Sequence, residues 1–528
     1  MQKLVAFVVL LIGCSVTAQN LTTDNAFGQN GHTITSIKNR QASIASLGLQ
    51  SNKKIIACGS AFDGSSNQLV LTRYSTDGLL DKSFGTAGRV VLPIGTYMQY
   101  ESNSVHILKN NSILVAATDG AKSDQHIVLL KFHPNGSQDR NFGKNGIARV
   151  NLPQKSVASS IAVQSDGKII VGGKISEEYS LDYTDFLVGR FLPNGSPDES
   201  FGVNGFTMIN FGTTTNRHVV SEDVVHSLKI QPDGKIIAAG FTFAEPSNST
   251  SDFAMLRLNF DGSPDTTFGK NGRVITNFGR GEIAESIQLA DDGKILLSGI
   301  YYYNDDASQK ICLAKYNSDG TLDTNFGING KVVNDFNNDA NSGFAFASHL
   351  QPDGKLIVGG YVDNTSVDLF LQRFNADGTP DVSFGFDGQL TIDRGADETA
   401  NVIFPLADGS LLLGGGSRRG SKRDFLLTKV KTHLKSNFKF GADSFSVSPN
   451  PFKKYIDVEF NMIQNEPIVI EVRDALGNNV TSVVPEKIGG KGGVSERINF
   501  PDTLSAGMYY LNISAGDRVS TVRIQKHD

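Results

Sequence analysis

The chain has 528 residues, a formal net charge of −5 and no tryptophan. No run of Lys and Arg interrupts this near balance of charge, which argues against a phosphate-tracking nucleic-acid surface. Gly accounts for 55 residues, many in Asp-Gly and Asn-Gly pairs, and this points to a turn-rich all-β chain with room for more than one domain.

The opening residues MQKLVAFVVLLIGCSVTAQN read as a secretory signal over positions 1–18. Lys3 supplies the positive end, Leu4–Ile12 the apolar run, and Val16-Thr17-Ala18 a small-residue cleavage site before Gln19. The run is too short to remain as a membrane-spanning helix. Leu11-Ile12-Gly13-Cys14 also fits a lipoprotein box, which would leave Cys14 lipidated; the Thr-Ala cut is the preferred reading. The remaining cysteines, Cys58 and Cys312, lie far apart in apolar strand contexts and are expected as buried free thiols, with no disulfide framework.

From Asn25 onward the chain repeats itself. An apolar run, an Asp-Gly or Asn-Gly, an Asp and then Phe-Gly-x-x-Gly recur, with the Phe at Phe27, Phe84, Phe142, Phe201, Phe268, Phe326 and Phe384. The spacing is roughly 58 residues, stretched to about 67 between Phe201 and Phe268. A second motif lies midway, clearest as Gln164–Gly173, Gln231–Gly240, Ala290–Gly299 and Gln351–Gly360, with degenerate copies from Ser51, Lys109 and Leu406. An Asp-Gly between two short apolar runs predicts a hairpin, read here as a type I′ turn.

Each unit thus yields four strands, a to d; in the second they cover Ser104–Leu108, Ile113–Ala117, Ile127–Phe132 and Ile147–Asn151. Seven such units predict a seven-bladed β-propeller over residues 19–430. The orphan d-type segment Phe27–Thr35 should complete the last blade beside Phe425–Val430, leaving no raw edge. A linker, 431–444, leads to a tail, 445–528, with about six alternating strands, enough for a small β-sandwich.

The repeat resembles the delta-60 repeat of secreted bacterial propellers, over Asn25 to about Val430; that family implies an architecture rather than an activity. The tail resembles the type A C-terminal sorting domain of the type IX secretion system. The resemblance is carried by Ser448-Pro449-Asn450-Pro451, by Asp474 and Gly477, by Leu504–Tyr510 with Gly507 and Tyr509, and by Val522–Lys526. It implies Sec export, partnership with the type IX machinery, and release or attachment at the outer-membrane cell surface.

The recurrent Phe is expected to wedge neighbouring sheets apart from water rather than to carry chemistry. The paired carboxylates Asp77/Asp81, Asp261/Asp265, Asp319/Asp323 and Asp377/Asp381 suggest calcium at first sight. Asn135 and Asn194 replace the first of them in two units and no bidentate Glu follows, so Asx-turns and a cap on a short helical turn are preferred and no cofactor is expected. There is no His/Cys zinc spacing, nucleophile elbow, phosphate loop or zinc-protease helix, which weighs against an enzyme.

Loop lengths point to a ligand face. The a–b and c–d connections are stereotyped, while b–c and d–a vary and share the opposite face, where binding surfaces of repeat proteins concentrate. Candidate contacts there are Tyr301, Tyr302, Tyr303, Asp305, Asp306, Arg217, His218, Asp335 and Arg394, because aromatics beside charged groups suit sugars or peptides. The leading expectation is an exported propeller binding a glycan, polypeptide or surface polymer. The alternatives are an extracellular hydrolase or lyase using a pair such as Asp305 with Asp335 or His218 with Asp306, and a structural surface-coat protein.

Overall fold

The computed structural model describes residues 23–37, 41–94, 104–120, 124–176, 183–212, 221–243, 250–303, 306–336, 342–363, 366–385, 388–431, 446–449, 452–462, 466–474, 479–489, 492–501, 503–515 and 518–527. The leader with Cys14, and Arg217, His218, Asp305, Asn450, Pro451 and Gly477, lie outside them. Two compact units are present, Thr23–Val430 and the segment from Lys431 onward. The described residues are all-β, with no helix.

In the first unit the first six repeats each carry four antiparallel strands in chain order a-b-c-d, and the last contributes a, b and c. The fourth uses Val224–Ile230, Ile236–Thr242, Asp252–Leu258 and Arg273–Thr276. Its b and c strands are buried at every position, because a neighbouring sheet covers each face; hence they read as continuous apolar runs rather than as alternation. Successive a strands touch one another: Gln41–Leu49 with Ser104–Ile107, then Ser156–Val163, Val224–Ile230, Gly281–Leu289, Ser342–Leu350 and Asp397–Pro405, which touches Gln41–Leu49 again. Six of them carry a bulge at the same level, skipping Ala45, Ser159, His226, Glu285, Phe346 and Asn401.

The two ends of this unit meet in one sheet. His32–Thr35 pairs antiparallel with strand c of the last repeat, His32 opposite Thr428 and Thr35 opposite Phe425. Asp24 N–H donates to Lys429 O at 2.9 Å, Lys429 N–H donates to Gly31 O at 2.9 Å, and Lys429 Nζ pairs with Asp24 Oδ2 at 3.0 Å.

The Phe-Gly motif joins successive repeats at six junctions. Phe268 is fully buried, and a Cβ on Gly320 of the following repeat would lie 3.0 Å from its ring, so only glycine leaves room. Gly269 N–H donates to Asp319 O at 2.8 Å. Arg257 lies 4.2 Å over the Phe268 ring and donates from Nη1 to Ser318 O. The amide bond recurs from Gly85 to Asn135, Gly143 to Asn194, Gly202 to Asp261 and Gly327 to Asp377, and Gly28 of the seam strand makes it to Asp77 of the first repeat.

The turn chemistry differs from the sequence expectation in one respect. In Gln231-Pro232-Asp233-Gly234 only Gly234 has positive φ, 87°, and its N–H donates to Gln231 O. This is a type I turn followed by a left-handed glycine, as Pro at the second position favours. Positive φ at two successive residues occurs instead in the Phe-Gly motif. There Asn271 (54°) and Gly272 (87°) join Lys270 to Arg273 by reciprocal backbone hydrogen bonds of 2.8 and 3.2 Å. The Asp of this motif caps one short turn: Asp265 Oδ1 accepts from Thr267 N–H, and Phe268 N–H donates to Asp265 O.

The C-terminal unit holds one strand more than the tail pattern suggests. Its seven strands form a three-stranded sheet, Ser446–Ser448, Tyr455–Met462 and Gly492–Asn499, and a four-stranded sheet built on Glu466–Asp474 and Gly507–Ala515. Its core includes Phe452, Ile456, Val458, Val472, Ile498, Tyr509, Leu511 and Ile524.

Candidate functional site

The stereotyped face is held by ion pairs. Asp265 Oδ2 accepts from Arg257 Nε at 2.7 Å and Lys235 Nζ at 2.8 Å, while Oδ1 accepts from Thr267 N–H and Oγ1. The arrangement recurs with Arg73 and Lys54 at Asp81, Arg190 and Lys168 at Asp198, and Arg373 and Lys355 at Asp381. Burial alone would raise the Asp265 carboxyl; the hydrogen bonds from Lys235 and Thr267 and the Arg257 charge outweigh it and hold the group well below the usual carboxylate range. Asp261, Asp319 and Asp377 fold onto their own turns, accepting from Ser263, Thr321 and Thr379. The carboxylates that suggested calcium are therefore occupied by cations and turn donors.

The opposite face differs from cleft to cleft. Where one repeat meets the next, three positions converge: a residue near the start of strand c, a residue at the end of strand d, and a residue at the start of strand a of the following repeat. Between the third and fourth repeats they are Asp185, Asn210 and Asp223; between the fourth and fifth, Asp252, Asn277 and Glu282. Between the sixth and seventh they are Asp368, Asp393 and Glu398. Asn210, Asn277 and Asp393 make the same Asx-turn, accepting from the N–H of Gly212, Gly279 and Gly395 at 2.8, 2.6 and 2.6 Å. Between the fifth and sixth repeats Lys310 replaces the strand-c acid and pairs with Asp335 at 2.8 Å, while Gly343 stands in the third position.

Three of these acids lie where water cannot solvate them. Asp223, Glu282 and Glu398 are each 0 % exposed. Burial pushes Glu282 up to about 8, opposed by hydrogen bonds from the Arg280 and Phe278 backbone and reinforced by Asp252. Burial likewise lifts Asp223 to about 6, with Asp185 adding repulsion. It lifts Glu398 to about 7 and Asp368 to about 6, the Ser417 hydrogen bond and the Arg394 charge pulling Glu398 back in part. In the first of these clefts Asn210 Nδ2 donates to Asp185 Oδ1 at 2.8 Å, and Phe211 N–H donates to Asp223 Oδ2 at 2.7 Å.

The residues expected to bind ligand take different places. Tyr301 is 8 % exposed and belongs to the apolar core with Phe253, Phe268 and Ile287, so its ring is spent on packing. The Tyr302 hydroxyl meets Ser251 Oγ of the preceding repeat at 3.0 Å, and its ring covers Gly281. Tyr303 and Asp306 pair across the hairpin through their backbones, their side chains lying outside the described ones. Asp335 is exposed in its ion pair with Lys310, and Arg394 is half-buried beside Glu398. The structure thus separates Tyr301 and Tyr302 from Asp335 and Arg394, which belong to different clefts. The acids at the clefts were missed by sequence reasoning. Their signal was an Asp opening strand c in phase (Asp185, Asp252, Asp368, Asp424) and an Asx with Gly two residues on after strand d.

The seven Phe are all buried, Phe384 the most exposed at 6 %. Cys58 and Cys312 are free and fully buried, and burial pushes both thiols up, away from reactivity. Of the sorting motif, Pro449 is exposed, Lys526 pairs in register with Gly507, and Tyr509 is buried and donates its hydroxyl proton to Ser505 O at 2.7 Å. Asp474 lies opposite Tyr509 in the same sheet.

Comparison with known proteins bears on both units. Residues 50–84, 164–201, 231–268, 290–326 and 351–384 match the family described as a domain of unknown function (DUF5122) beta-propeller. Residues 446–527 match the secretion system C-terminal sorting domain. No curated protein matches the chain. Among solved structures the chain is similar to PorZ, a bacterial surface component of the type-IX secretion system of Porphyromonas gingivalis, at 9% identity and TM-score 0.36. That likeness covers 92% of this chain and 59% of PorZ, so the chain spans well under two thirds of that protein's length. It is similar also to the polysaccharide lyase Uly1, at 11% identity and TM-score 0.45 over 74% of this chain and 90% of that one. A third is virginiamycin B lyase from Staphylococcus aureus, at 9% identity and TM-score 0.40 over 75% of this chain and 98% of that one.

Proposed function

We infer that this chain, which carries DUF5122 β-propeller repeats followed by a type IX C-terminal sorting domain, is an exported binding protein that meets its ligand through the b–c/d–a face. The sorting domain implies export to the cell surface or secretion, with the type IX machinery as partner. No helix among the described residues is long and apolar enough to cross a membrane. We read the first unit as a seven-bladed ring over 19–430, a reading supported by the cycle of contacts among the a strands. We read 1–18 as the signal peptide, 431–444 as a linker and 445–528 as a β-sandwich, which its two sheets support.

One observation carries the binding reading. On the a–b/c–d side the same Arg–Asp–Lys arrangement recurs, as a fold-maintaining device should. On the other side four successive clefts differ in their polar sets: an amide-bridged acid, a carboxyl pair, a Lys–Asp pair, and three acids with an arginine. Polar groups that change from repeat to repeat on a shared frame suit recognition of a polar polymer, a glycan or a polypeptide. The hydrolase or lyase alternative rests on Asp305 with Asp335 or His218 with Asp306, and Asp305 and His218 lie outside the described residues; the close pair Glu282 and Asp252 is buried, at 0 % and 5 % exposed.

The test is a binding screen of the full chain against glycans, matrix proteins and cell-wall polymers. Two double variants run beside it: Arg418→Ala with Arg419→Ala on the exposed tip of the variable face, and Val203→Ser with Ile328→Ser on the opposite face. A ligand weakened by the first pair alone supports the reading. Equal weakening by both pairs, or no ligand, sinks it.

A further inference from the structure

We propose that Asp368, Asp393 and Glu398, between the sixth and seventh repeats, form a binding site for a hard divalent cation such as calcium, open toward the variable face. This goes beyond the binding reading above and does not depend on it.

The geometry brings the donors together. One carboxylate oxygen from each residue lies within 4.8 Å of the other two, close enough for all three to share one cation. The donors are all carboxylates, which select hard ions over zinc or copper.

The burial of Glu398 points to a missing partner. It is 0 % exposed; Oε1 accepts from Ser417 Oγ at 3.2 Å, while Oε2 is sealed from solvent and makes no hydrogen bond. A buried carboxylate oxygen without a donor is costly, and a bound cation would supply what it lacks. Glu282 Oε2 and Asp223 Oδ1 are left in the same condition in the sibling clefts, but among the described residues only here does a third carboxylate complete a donor set. The Arg394 backbone and charge act on Glu398, yet leave Oε2 without a hydrogen bond.

The sibling clefts provide an internal comparison. Where this cleft has Asp393, they have Asn210 and Asn277, and the Asn210 amide donates to the strand-c acid at 2.8 Å. Asp393 replaces that donor with a third acceptor. Three carboxylates and the Arg394 guanidinium together carry two negative charges, which a divalent ion neutralises. Asp393 is exposed, giving the ion a way in and leaving coordination positions for water or ligand oxygens.

Isothermal titration of CaCl₂ into the chelator-stripped full chain, with thermal melting in parallel, tests the site. Asp393→Asn installs the residue two sibling clefts already use, so its melting in chelator should match the unsubstituted chain. The expected result is saturable calcium binding and a calcium-dependent rise in melting temperature, with one equivalent weakened at least about tenfold in Asp393→Asn. Glu398→Gln, close to isosteric, should lose the same equivalent. Absence of saturable binding, or binding unchanged in both variants, would overturn the proposal.

Discussion

Glu282→Gln should stabilise the protein in mild alkali and leave it nearly unchanged in mild acid. Burial beside Asp252 lifts the Glu282 carboxyl from 4.5 to about 8, so the folded chain prefers it protonated. A carboxyl raised in this way gives its full stability below its unfolded value and loses it as pH climbs through its folded value. The loss therefore falls between about pH 4.5 and pH 8. Every tenfold gain in proton affinity corresponds to about 1.4 kcal/mol, which sets a ceiling of about 5 kcal/mol for ionising Glu282 in place. Local water entry and relaxation soften the repulsion, leaving about 2–3 kcal/mol as the measurable effect. Gln resembles the protonated acid: its carbonyl can still accept from Arg280 N–H, now at 2.8 Å from Glu282 Oε1, and its amide can serve Asp252 as Asn210 serves Asp185. Urea midpoints at pH 5.0 and pH 8.5, followed by far-UV circular dichroism, should coincide for the two chains at the lower pH and separate at the higher, with the variant more stable. Subtracting one chain from the other isolates Glu282 from Asp223 and Glu398, which titrate in the same region. A variant destabilised equally at both pH values would refute the reasoning.

Phe268→Ala should lower stability by about 3–5 kcal/mol, because it empties a fully buried socket and removes the surface under Arg257; a loss under about 1 kcal/mol in urea titration would show that the Phe is no wedge. Gly320→Ala should cost clearly more than Gly279→Ala. Both have positive φ, 87° and 105°, but only the first would press a methyl onto Phe268 and Val274, so equal melting temperatures would count against the inter-repeat contact. Asp265, held well below the usual carboxylate range, contributes stability above an ordinary carboxyl's value near 3.8 and loses it as pH falls through its lower folded value. Asp265→Asn should therefore be less stable than the unsubstituted chain at pH 7 and show a shallower decline below pH 4, measured by urea midpoints.

The architecture was legible because it is periodic. Phe-Gly and Asp-Gly recur in phase, and the four strands of the second repeat fall within two residues of where the apolar runs place them. What the Phe-Gly motif does was half legible: a buried Phe follows from its chemistry, but the Gly269 amide reaching Asp319 lies across a repeat boundary that no local pattern marks. The Asp-Gly turn type was misread because the dipeptide fits both a type I′ turn and a type I turn closed by a left-handed glycine. The Pro before Asp233 and the four-residue span to Lys235 decide the matter. The ligand face fared differently. Tyr301-Tyr302-Tyr303 drew attention by composition, whereas burial depends on which sheet covers the strand, and Tyr301 faces the core. Asp252 and Glu282 are 30 residues apart and converge only when one repeat packs on the next.

The seam between His32–Thr35 and the last repeat has a temporal consequence. It pairs residues some 396 positions apart, as in the His32 Nδ1 contact with Thr428 Oγ1 at 2.8 Å. Until that strand docks, Lys422–Val430 is an unpaired edge, and the Asp77 carbonyl waits for the Gly28 amide. The cost of gathering such distant ends grows only slowly with the chain between them, so delay falls on the rate of closure more than on its final stability. Once shut, Thr23 and Val430 stand in register as bridge partners. A permuted chain that joined them and opened in a variable-face loop would then move the unfinished edge to another repeat without removing a strand from any sheet.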